Sequence, residues 1–197
     1  MKVIGLCGKS GSGKGFVSNV FDEFGVKSID TDSVYHDLIS RDSDCTRELI
    51  DYFGPSVASS KGIDRKRLKD IVFSSPNDLC ALNKITHKHI LASVRELIEK
   101  MRSDPSLKGV LIDAPLLFES GFDSECDLTV CVISDEKLRI NRIIARDNIT
   151  YDEALKRVKA QLSDDYLIER CDYSIVNNST EDELRASVKE LVNKIFK

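Results

Sequence analysis

A glycine-rich stretch near the amino terminus has the residue types and spacing of a phosphate-binding loop. The sequence GKSGSGKGF covers residues 8–16. Its glycines allow the tight turns that direct backbone N–H groups toward phosphate oxygens, and Lys14 stands where a lysine reaches the β- and γ-phosphates. The predicted nucleotide-binding residues are Gly8, Gly11, Ser12, Gly13, Lys14, Gly15 and Phe16.

The end of this loop departs from the usual pattern. After Gly-Lys, such loops normally carry Ser or Thr, whose hydroxyl binds Mg²⁺, whereas this chain has Gly15 and then Phe16. The backbone amides, Lys14 and nearby carboxylates are still present, and Mg²⁺ commonly keeps several waters. We therefore expect an active phosphoryl-transfer enzyme in which Mg²⁺ is held by phosphates, waters and an Asp.

Acidic residues close two predicted strands and could act as a base or as metal ligands. Asp30 and Asp32 lie in IDTDSVYHD, and Asp113 ends GVLID in the manner of a Walker B strand. The alternative for Asp32, and more strongly for Asp30, is helix capping. The alternative for Asp113 is a solvated acid at a strand end.

Three arginines are spaced to share one face of a predicted helix. Arg139, Arg142 and Arg146 are three and four residues apart. On a lid, such a cluster could close over a triphosphate and stabilise the charge of the transition state. A solvated charged face is the alternative interpretation.

The elements that must position these residues alternate between strand and helix. Short apolar runs predict five strands, in the stretches KVIGLC, VKSID, GVLIDAP, LTVCVI and YSIVN. Continuous apolar runs separated by helical patterns are typical of a parallel sheet that is covered on both faces. The predicted fold is therefore α/β, of the three-layer P-loop NTPase type with a five-stranded parallel sheet.

A long crossover separates the second and third predicted strands. Its length of about eighty residues exceeds what a strand connection needs. It reads almost wholly as helix, including one helix near 76–102. We predict a single domain over 1–197 whose core is about 1–32, 104–134 and 163–197, with a substrate-binding insertion at about 33–103 and a lid at about 135–162.

Composition excludes several classes of protein. The chain has 197 residues, 41% hydrophobic and 31% charged, with a net charge of −4, which argues against a nucleic-acid partner. No apolar run approaches a membrane span. The six cysteines include no Cys-x-x-Cys pair, so we expect thiols in a reducing cytoplasm rather than a zinc site. His87 and His89 are two apart on a predicted helix and are not expected to form a metal pair. The oligomeric state is left open.

Several longer stretches resemble the dephospho-CoA kinase family, whose members add the 3′-phosphate to dephospho-coenzyme A. The similarity covers essentially the whole chain. The matching stretches are GLCGKSGSGK, SIDTDSVYHDL, IDRKRLKDIVFSSP, LNKITHKHI, LIDAPLLFESG, RIIARD, AQLS and CDYSIVNNST. The loop alone indicates only an NTPase, whereas DAPLLFESG together with DRKRLKDIVFSSP is far more specific.

The resemblance implies a role for each matching residue. Lys14 corresponds to the phosphate-binding lysine, Asp32 to the catalytic base and Asp113 to the acid of DAPLLFE. It implies that Arg142 and Arg146 are lid residues near ATP, with Arg142 also catalytic, and that Arg65 and His87 line the dephospho-CoA site along with Asp32 and Asp113. The implied substrates are ATP and dephospho-CoA, with Mg²⁺ assigned to Asp32 and Asp113.

Two other functions remain open from the residues alone. The first is another small-metabolite kinase of the nucleoside-monophosphate type, which the long insertion and DAPLLFESG disfavour. The second is a nucleotide-binding relative with weak or no catalysis, which only Gly15 supports. Adenylate kinases also have Gly-Lys-Gly at this point and remain kinases, although their next residue is commonly Thr.

Overall fold

The computed structural model describes every residue from Met1 to Lys197. The chain forms two compact units, one made of Met1–Ile29 with Met101–Lys197 and the other of Asp30–Lys100. In chain order the strands are β1 Lys2–Gly8, β2 Val26–Asp30, β3 Ala58–Ser59, β4 Gly62–Ile63, β5 Gly109–Asp113, β6 Leu128–Ile133 and β7 Tyr173–Val176. The helices are α1 Lys14–Glu23, α2 Thr31–Ile39, α3 Asp44–Phe53, α4 Arg65–Ser74, α5 Pro76–Arg102, α6 Glu136–Asp147, α7 Tyr151–Lys159, α8 Asp164–Arg170 and α9 Glu181–Ile195.

A five-stranded parallel sheet in the order β2-β5-β1-β6-β7 forms the centre of the first unit. The predicted α/β class and the five predicted strands are confirmed. β1 lies in the middle, where Lys2 pairs with Gly109 of β5 and Gly8 with Val132 of β6. Its central position explains why Val3–Gly8 is buried throughout and why its sequence is apolar without alternation.

Helices α1 and α9 cover one face of this sheet. Their core-facing residues recur at helical spacing, and together with strand residues they form one buried cluster that includes Leu6, Val17, Phe21, Leu111, Val188 and Val192. This stripe is what the amphipathic pattern of both segments predicts. The packing fixes the start of α1, and therefore Lys14, relative to the ends of β1 and β5.

Helices α6 and α7 form a hairpin with a small core of its own. Ile140, Ile143, Ala154 and Val158 make up this core. Asn148 ends α6 in the left-handed conformation with φ 51°, and Thr150 starts α7 with a capping box that includes Glu153. The turn between the helices is therefore specified by local sequence.

The second unit contains α2–α4, most of α5 and a small antiparallel hairpin of β3 and β4. Its core contains Leu38, Ile39, Cys45, Leu49, Val57, Ile63, Leu68, Val72 and Ile85. The sequence predicted helix almost throughout, so the hairpin is a difference. Its cause lies in Gly62, whose φ of 143° is left-handed, and where a Cβ would collide with the carbonyl oxygen of Ile39.

None of the helices has both the length and the apolar character needed to cross a membrane.

Candidate active site

The glycine-rich loop joins the buried end of β1 to the first turn of α1. Gly8, Gly11 and Gly13 have φ angles of 148°, 77° and 98°, in the region that side-chain-bearing residues rarely adopt. The space beside them is also closed. A Cβ on Gly8 would lie 2.6 Å from the carbonyl oxygen of Val132, and one on Gly11 would lie 2.6 Å from that of Arg139. Both backbone conformation and close packing therefore require glycine.

Side chains from distant segments of the chain donate hydrogen bonds to backbone carbonyl groups of the loop. Arg142 of α6 donates from Nη1 to the carbonyl oxygen of Gly11 at 3.2 Å and to Ser134 Oγ at 3.0 Å. Its Nη2 donates to the carbonyl oxygen of Asn177 at 3.2 Å. Asn177, which is 6% exposed, donates from Nδ2 to the carbonyl oxygen of Ser12 at 2.7 Å. Arg142 therefore bonds to the back of the loop in this structure.

Polar groups of the loop and of α1 surround the end of β5. Lys14 Nζ donates to the carbonyl oxygen of Gly8 at 3.1 Å and lies 4.0 Å from Asp113 Oδ1. Ser18, one turn further along α1, places its hydroxyl 3.5 Å from Asp113 Oδ2. The Ser12 hydroxyl is buried and has no hydrogen-bond partner. Because buried hydroxyls normally have a partner, this group is suited to receive a ligand oxygen.

The three arginines of α6 have three different environments. Arg139 is 2% exposed; its Nη2 lies 3.5 Å from Asp164, while Nε and Nη1 have no partner. Arg142 is half-buried behind the loop. Arg146 is exposed and donates to Asp147 at 2.7 Å and 3.0 Å, a contact that raises its pKa. Although their spacing predicts one shared helix face, the three arginines differ in burial and in hydrogen-bond partners.

Positive charge exceeds negative charge behind the loop. Lys9 Nζ lies 3.3 Å from Asp164, so a single carboxylate is shared by Lys9 and Arg139. Arg142 contacts carbonyl and hydroxyl oxygens. Two of these three cations therefore share one carboxylate, and this excess favours a polyanion such as a triphosphate at the loop.

The sequence left helix capping and catalysis open for two aspartates at the start of α2, and the structure gives these residues different environments. Asp30 is the N-cap residue, since its Oδ1 accepts from the backbone N–H of Asp32 at 2.9 Å and its Oδ2 accepts from Ser33 Oγ at 2.7 Å. The capping interpretation is therefore confirmed for Asp30. Asp32 is an exposed residue in the first helical turn. The partial positive charge of a helix amino terminus favours an ionised carboxylate there.

Arg65 and His87 lie on different helices of the second unit. Arg65 is the exposed first residue of α4. Burial, with Cys45, raises the pKa of Tyr35, and the charge of Arg65 offsets part of this rise. His87 lies half-buried in α5. Beside it, Lys88 and His89 contact Glu48 at 2.9 Å and 2.7 Å, and they lower the pKa of this carboxyl group.

The oxygen atoms near the loop fit Mg²⁺ only as a partial set of ligands. No group of three or more His, Cys, Asp or Glu side chains is arranged to hold a metal ion. Asp113 offers a carboxylate, and no protein atom lies within 4 Å of a Cβ built on the exposed Gly15. Mg²⁺ that binds through one or two carboxylates plus phosphates and waters matches this donor set.

Sequence reasoning missed the residues that support the loop. Ser18 is four residues after Lys14, so both lie on the same side of α1, and that spacing could have identified it. Asn177 ends the stretch YSIVN, but nothing local indicates that its amide reaches a carbonyl group 165 residues away. Ser134 and Asn177 lie near the loop because of the order of the strands in the sheet, which no local sequence pattern indicates.

Comparisons with known proteins agree with this geometry. Residues 2–183 match the family described as dephospho-CoA kinase. A dephospho-CoA kinase of Fusobacterium nucleatum is 41% identical over 98% of this chain and 98% of its own length. The crystal structure of TT1252 from Thermus thermophilus has a TM-score of 0.82 and 26% identity, covering 100% of this chain and 98% of that one. A dephospho-CoA kinase structure from Campylobacter jejuni shares the fold, with a TM-score of 0.73 and 22% identity, covering 98% of this chain and 96% of that one.

Proposed function

The chain belongs to the dephospho-CoA kinase family, which catalyses the last step of CoA biosynthesis, and we propose how its residues divide that reaction. In the reaction, the ribose 3′-hydroxyl oxygen of dephospho-CoA bonds to the γ-phosphorus of ATP. The bond from that phosphorus to the β–γ bridging oxygen breaks, and ADP leaves. The observation that carries the assignment of residues is the loop interior, where a buried Ser12 hydroxyl without a partner lies in a left-handed glycine loop.

The loop binds the phosphates of ATP. Its backbone N–H groups and the amino terminus of α1 supply hydrogen bonds and partial positive charge to the phosphate oxygens. Lys14 adds a full positive charge and exchanges its contact with the Gly8 carbonyl group for a phosphate oxygen. Arg142 is a positioning residue for the loop, because it bonds to the Gly11 carbonyl group from behind.

Asp113 and Ser18 are the residues that would hold Mg²⁺. Ser18 would orient the Asp113 carboxylate through its hydroxyl, and a water would take the place of the oxygen ligand that Ser or Thr supplies at residue 15 in other loops. When bound, Mg²⁺ would neutralise part of the charge of the ATP phosphates. Asp32 is the second carboxylate that the family resemblance assigns to the metal.

Asp32 accepts the proton of the attacking hydroxyl. Its carboxylate is exposed in the first turn of α2, and the Asp30 side chain caps that helix. A positioned base of this kind contributes typically 10²- to 10⁴-fold to rate. Arg65 and His87 bind dephospho-CoA, and Arg146 contacts ATP after leaving Asp147. These three roles are supported by the family resemblance.

A test of the assigned reaction measures ADP release from ATP with dephospho-CoA, with and without Mg²⁺, and identifies the product by mass and phosphate position. We expect Mg²⁺-dependent turnover that yields the 3′-phosphate. AMP and shikimate serve as control acceptors and should give little ADP. Equal turnover with AMP would indicate a nucleoside-monophosphate kinase, and ATP binding with no ADP release from any acceptor would indicate a catalytically inactive nucleotide-binding protein.

A further inference from the structure

Three thiols from three separate segments meet at one face of the sheet, directly before the phosphate-binding loop. Cys7 is the residue before Gly8, and it pairs in register with Cys131 on the neighbouring strand β6. Side chains at paired positions of adjacent parallel strands point to the same face. Cys171 follows α8, and its sulfur lies 3.5 Å from that of Cys7.

The three thiols differ in access to solvent. Cys7 and Cys131 are 1% and 0% exposed, whereas Cys171 is only partly buried. Asp172 fixes the segment next to Cys171, because its Oδ2 accepts from the backbone N–H and from the hydroxyl of Thr129 at 2.7 Å and 2.9 Å. Cys171 is therefore the thiol that a small solute reaches first, and it is held beside a buried partner.

The hydrogen bonds within the cluster favour a thiolate at Cys171. Donation from Cys131 and Cys7, with help from Thr129, lowers the pKa of Cys171. The hydrogen bond to Cys171 and burial raise the pKa values of Cys7 and Cys131, so these two thiols remain protonated donors. Burial also raises the pKa of Cys45 to about 11 and that of Cys126 to about 12, so neither is a thiolate that reacts first with peroxide. The cluster is not arranged to hold a metal ion.

We propose that Cys171 and Cys7 form a reversible oxidation site at which hydrogen peroxide produces a disulfide that weakens nucleotide binding. In the first step the Cys171 thiolate attacks one peroxide oxygen, the O–O bond breaks, and Cys171 sulfenic acid and hydroxide form. In the second step the Cys7 sulfur attacks Cys171 Sγ and displaces the hydroxyl group. The Cys7 thiol proton converts the displaced hydroxyl group to one water, and the proton that Cys171 lost in forming its thiolate converts the hydroxide of the first step to the other. Two thiols and one peroxide therefore give one disulfide and two waters. The sulfurs lose two electrons and the peroxide gains them.

A disulfide between Cys7 and Cys171 would affect the loop because Cys7 directly precedes Gly8. The two sulfurs must approach from 3.5 Å to about 2.0 Å. Next to Cys7, Gly8 is closely packed, since an added Cβ would lie 2.6 Å from the carbonyl oxygen of Val132 and 2.9 Å from Ser12 Oγ. The Gly8 carbonyl group is also the acceptor of Lys14 Nζ. Movement of Cys7 therefore disturbs the loop and its lysine together.

Two separate readouts test this site. The intact protein is treated with a few equivalents of hydrogen peroxide, and free thiols are counted after denaturation while non-reducing peptide mapping locates the bond. We expect the six free thiols of the reduced protein to fall by two, with one peptide linking Cys7 to Cys171. Affinity for an unhydrolysable ATP analogue should fall about tenfold, a usual size for coupling between sites, and return with dithiothreitol.

Variants assign the effect to these thiols. Cys171→Ser should retain all its remaining thiols and its ATP-analogue affinity after peroxide. Cys80→Ser, which removes an exposed thiol in the other unit, should behave as the unmutated protein. If Cys171→Ser does not fold, Cys7→Ser replaces it, and a dimedone adduct on Cys171 is expected because the sulfenic acid then has no Cys7 to meet.

Three outcomes would overturn the proposal. They are six thiols surviving peroxide, oxidation confined to Cys80, or a Cys7–Cys171 disulfide that leaves ATP-analogue affinity unchanged. The effect on affinity rests on the proposed function, whereas disulfide formation does not. Failure of the reduced protein to bind the analogue would therefore contradict the nucleotide assignment, while the thiol count would still test the oxidation site.

Discussion

The two units hold their candidate site residues in different ways. In the first unit the loop is fixed by side chains far away in sequence, such as Arg142, which is 131 residues from Gly11. In the second unit Asp32 and Arg65 are exposed residues in the first turns of helices, where the caps are local contacts. The loop that we propose for ATP is therefore held by contacts distant in sequence, whereas the residues that we propose for the acceptor lie on helix surfaces. Mutations of residues that support the loop should change stability and ATP affinity, whereas mutations of Asp32 or Arg65 should change turnover alone.

The largest expected effect on turnover is that of Asp32→Asn. Loss of the proton acceptor should lower turnover about 10²- to 10⁴-fold, while ATP-analogue affinity and the unfolding midpoint stay near those of the unmutated protein because the side chain is exposed. Asp37→Asn on the same helix is the control and should leave turnover unchanged. Near-normal turnover of Asp32→Asn would remove this residue from the role of base, and loss of ATP affinity would place it with the nucleotide site instead.

Arg142→Ala should have the largest effect on stability. It removes the donors to two carbonyl groups, of Gly11 and Asn177, and an unsatisfied buried polar group costs about 1–3 kcal/mol. We expect the free energy of unfolding to fall by about 2 kcal/mol or more, with weaker ATP binding, as measured by urea unfolding and calorimetric titration.

The matched control is Arg146→Ala on the same helix. Its exposed ion pair with Asp147 should be worth no more than about 1 kcal/mol. Equal destabilisation by the two substitutions would show that the loop does not depend on Arg142.

Ser18→Ala should have a smaller effect, confined to the response to Mg²⁺. Without the hydroxyl at 3.5 Å, the Asp113 carboxylate is less well oriented, so the Mg²⁺ concentration for half-maximal activity should rise several-fold. Metal binding in the presence of an unhydrolysable ATP analogue gives a readout that is independent of turnover. The Ser187→Ala control removes an exposed serine of α9 and should change neither value. An unaltered Mg²⁺ response in Ser18→Ala would mean that Ser18 does not orient Asp113.

The smallest expected effect is that of Gly15→Ser. A Cβ at this position meets no atom within 4 Å, and Ser is more favourable than Gly within a helix by about 0.5 kcal/mol. We expect slightly higher stability and turnover within about tenfold of the unmutated protein, because Mg²⁺ commonly keeps several waters and one of them would replace the missing hydroxyl ligand. A rise in turnover of several orders of magnitude would show that the native loop is defective for Mg²⁺.

Local signals explain which features could be predicted from the sequence. Continuous apolar runs identified the inner strands β1, β5 and β6, because strands buried on both faces have no polar side. The edge strands β2 and β7 are short and only partly buried, and they were identified from shorter apolar stretches. The glycine spacing with Lys14 identified the loop, because only glycine fits the left-handed positions. The hairpin of β3 and β4 was missed because each of its strands is only two residues long, too short to show an apolar pattern. The support that Arg142 and Asn177 give to the loop arises from strand order, and no local pattern encodes it.

The central claim is that the loop binds the phosphates of ATP although residue 15 lacks a hydroxyl group. Its most direct test is a calorimetric titration of the unmutated, reduced protein with an unhydrolysable ATP analogue, with and without Mg²⁺. We expect saturable binding of one analogue per chain, and tighter binding with Mg²⁺. The absence of saturable binding under both conditions would contradict it.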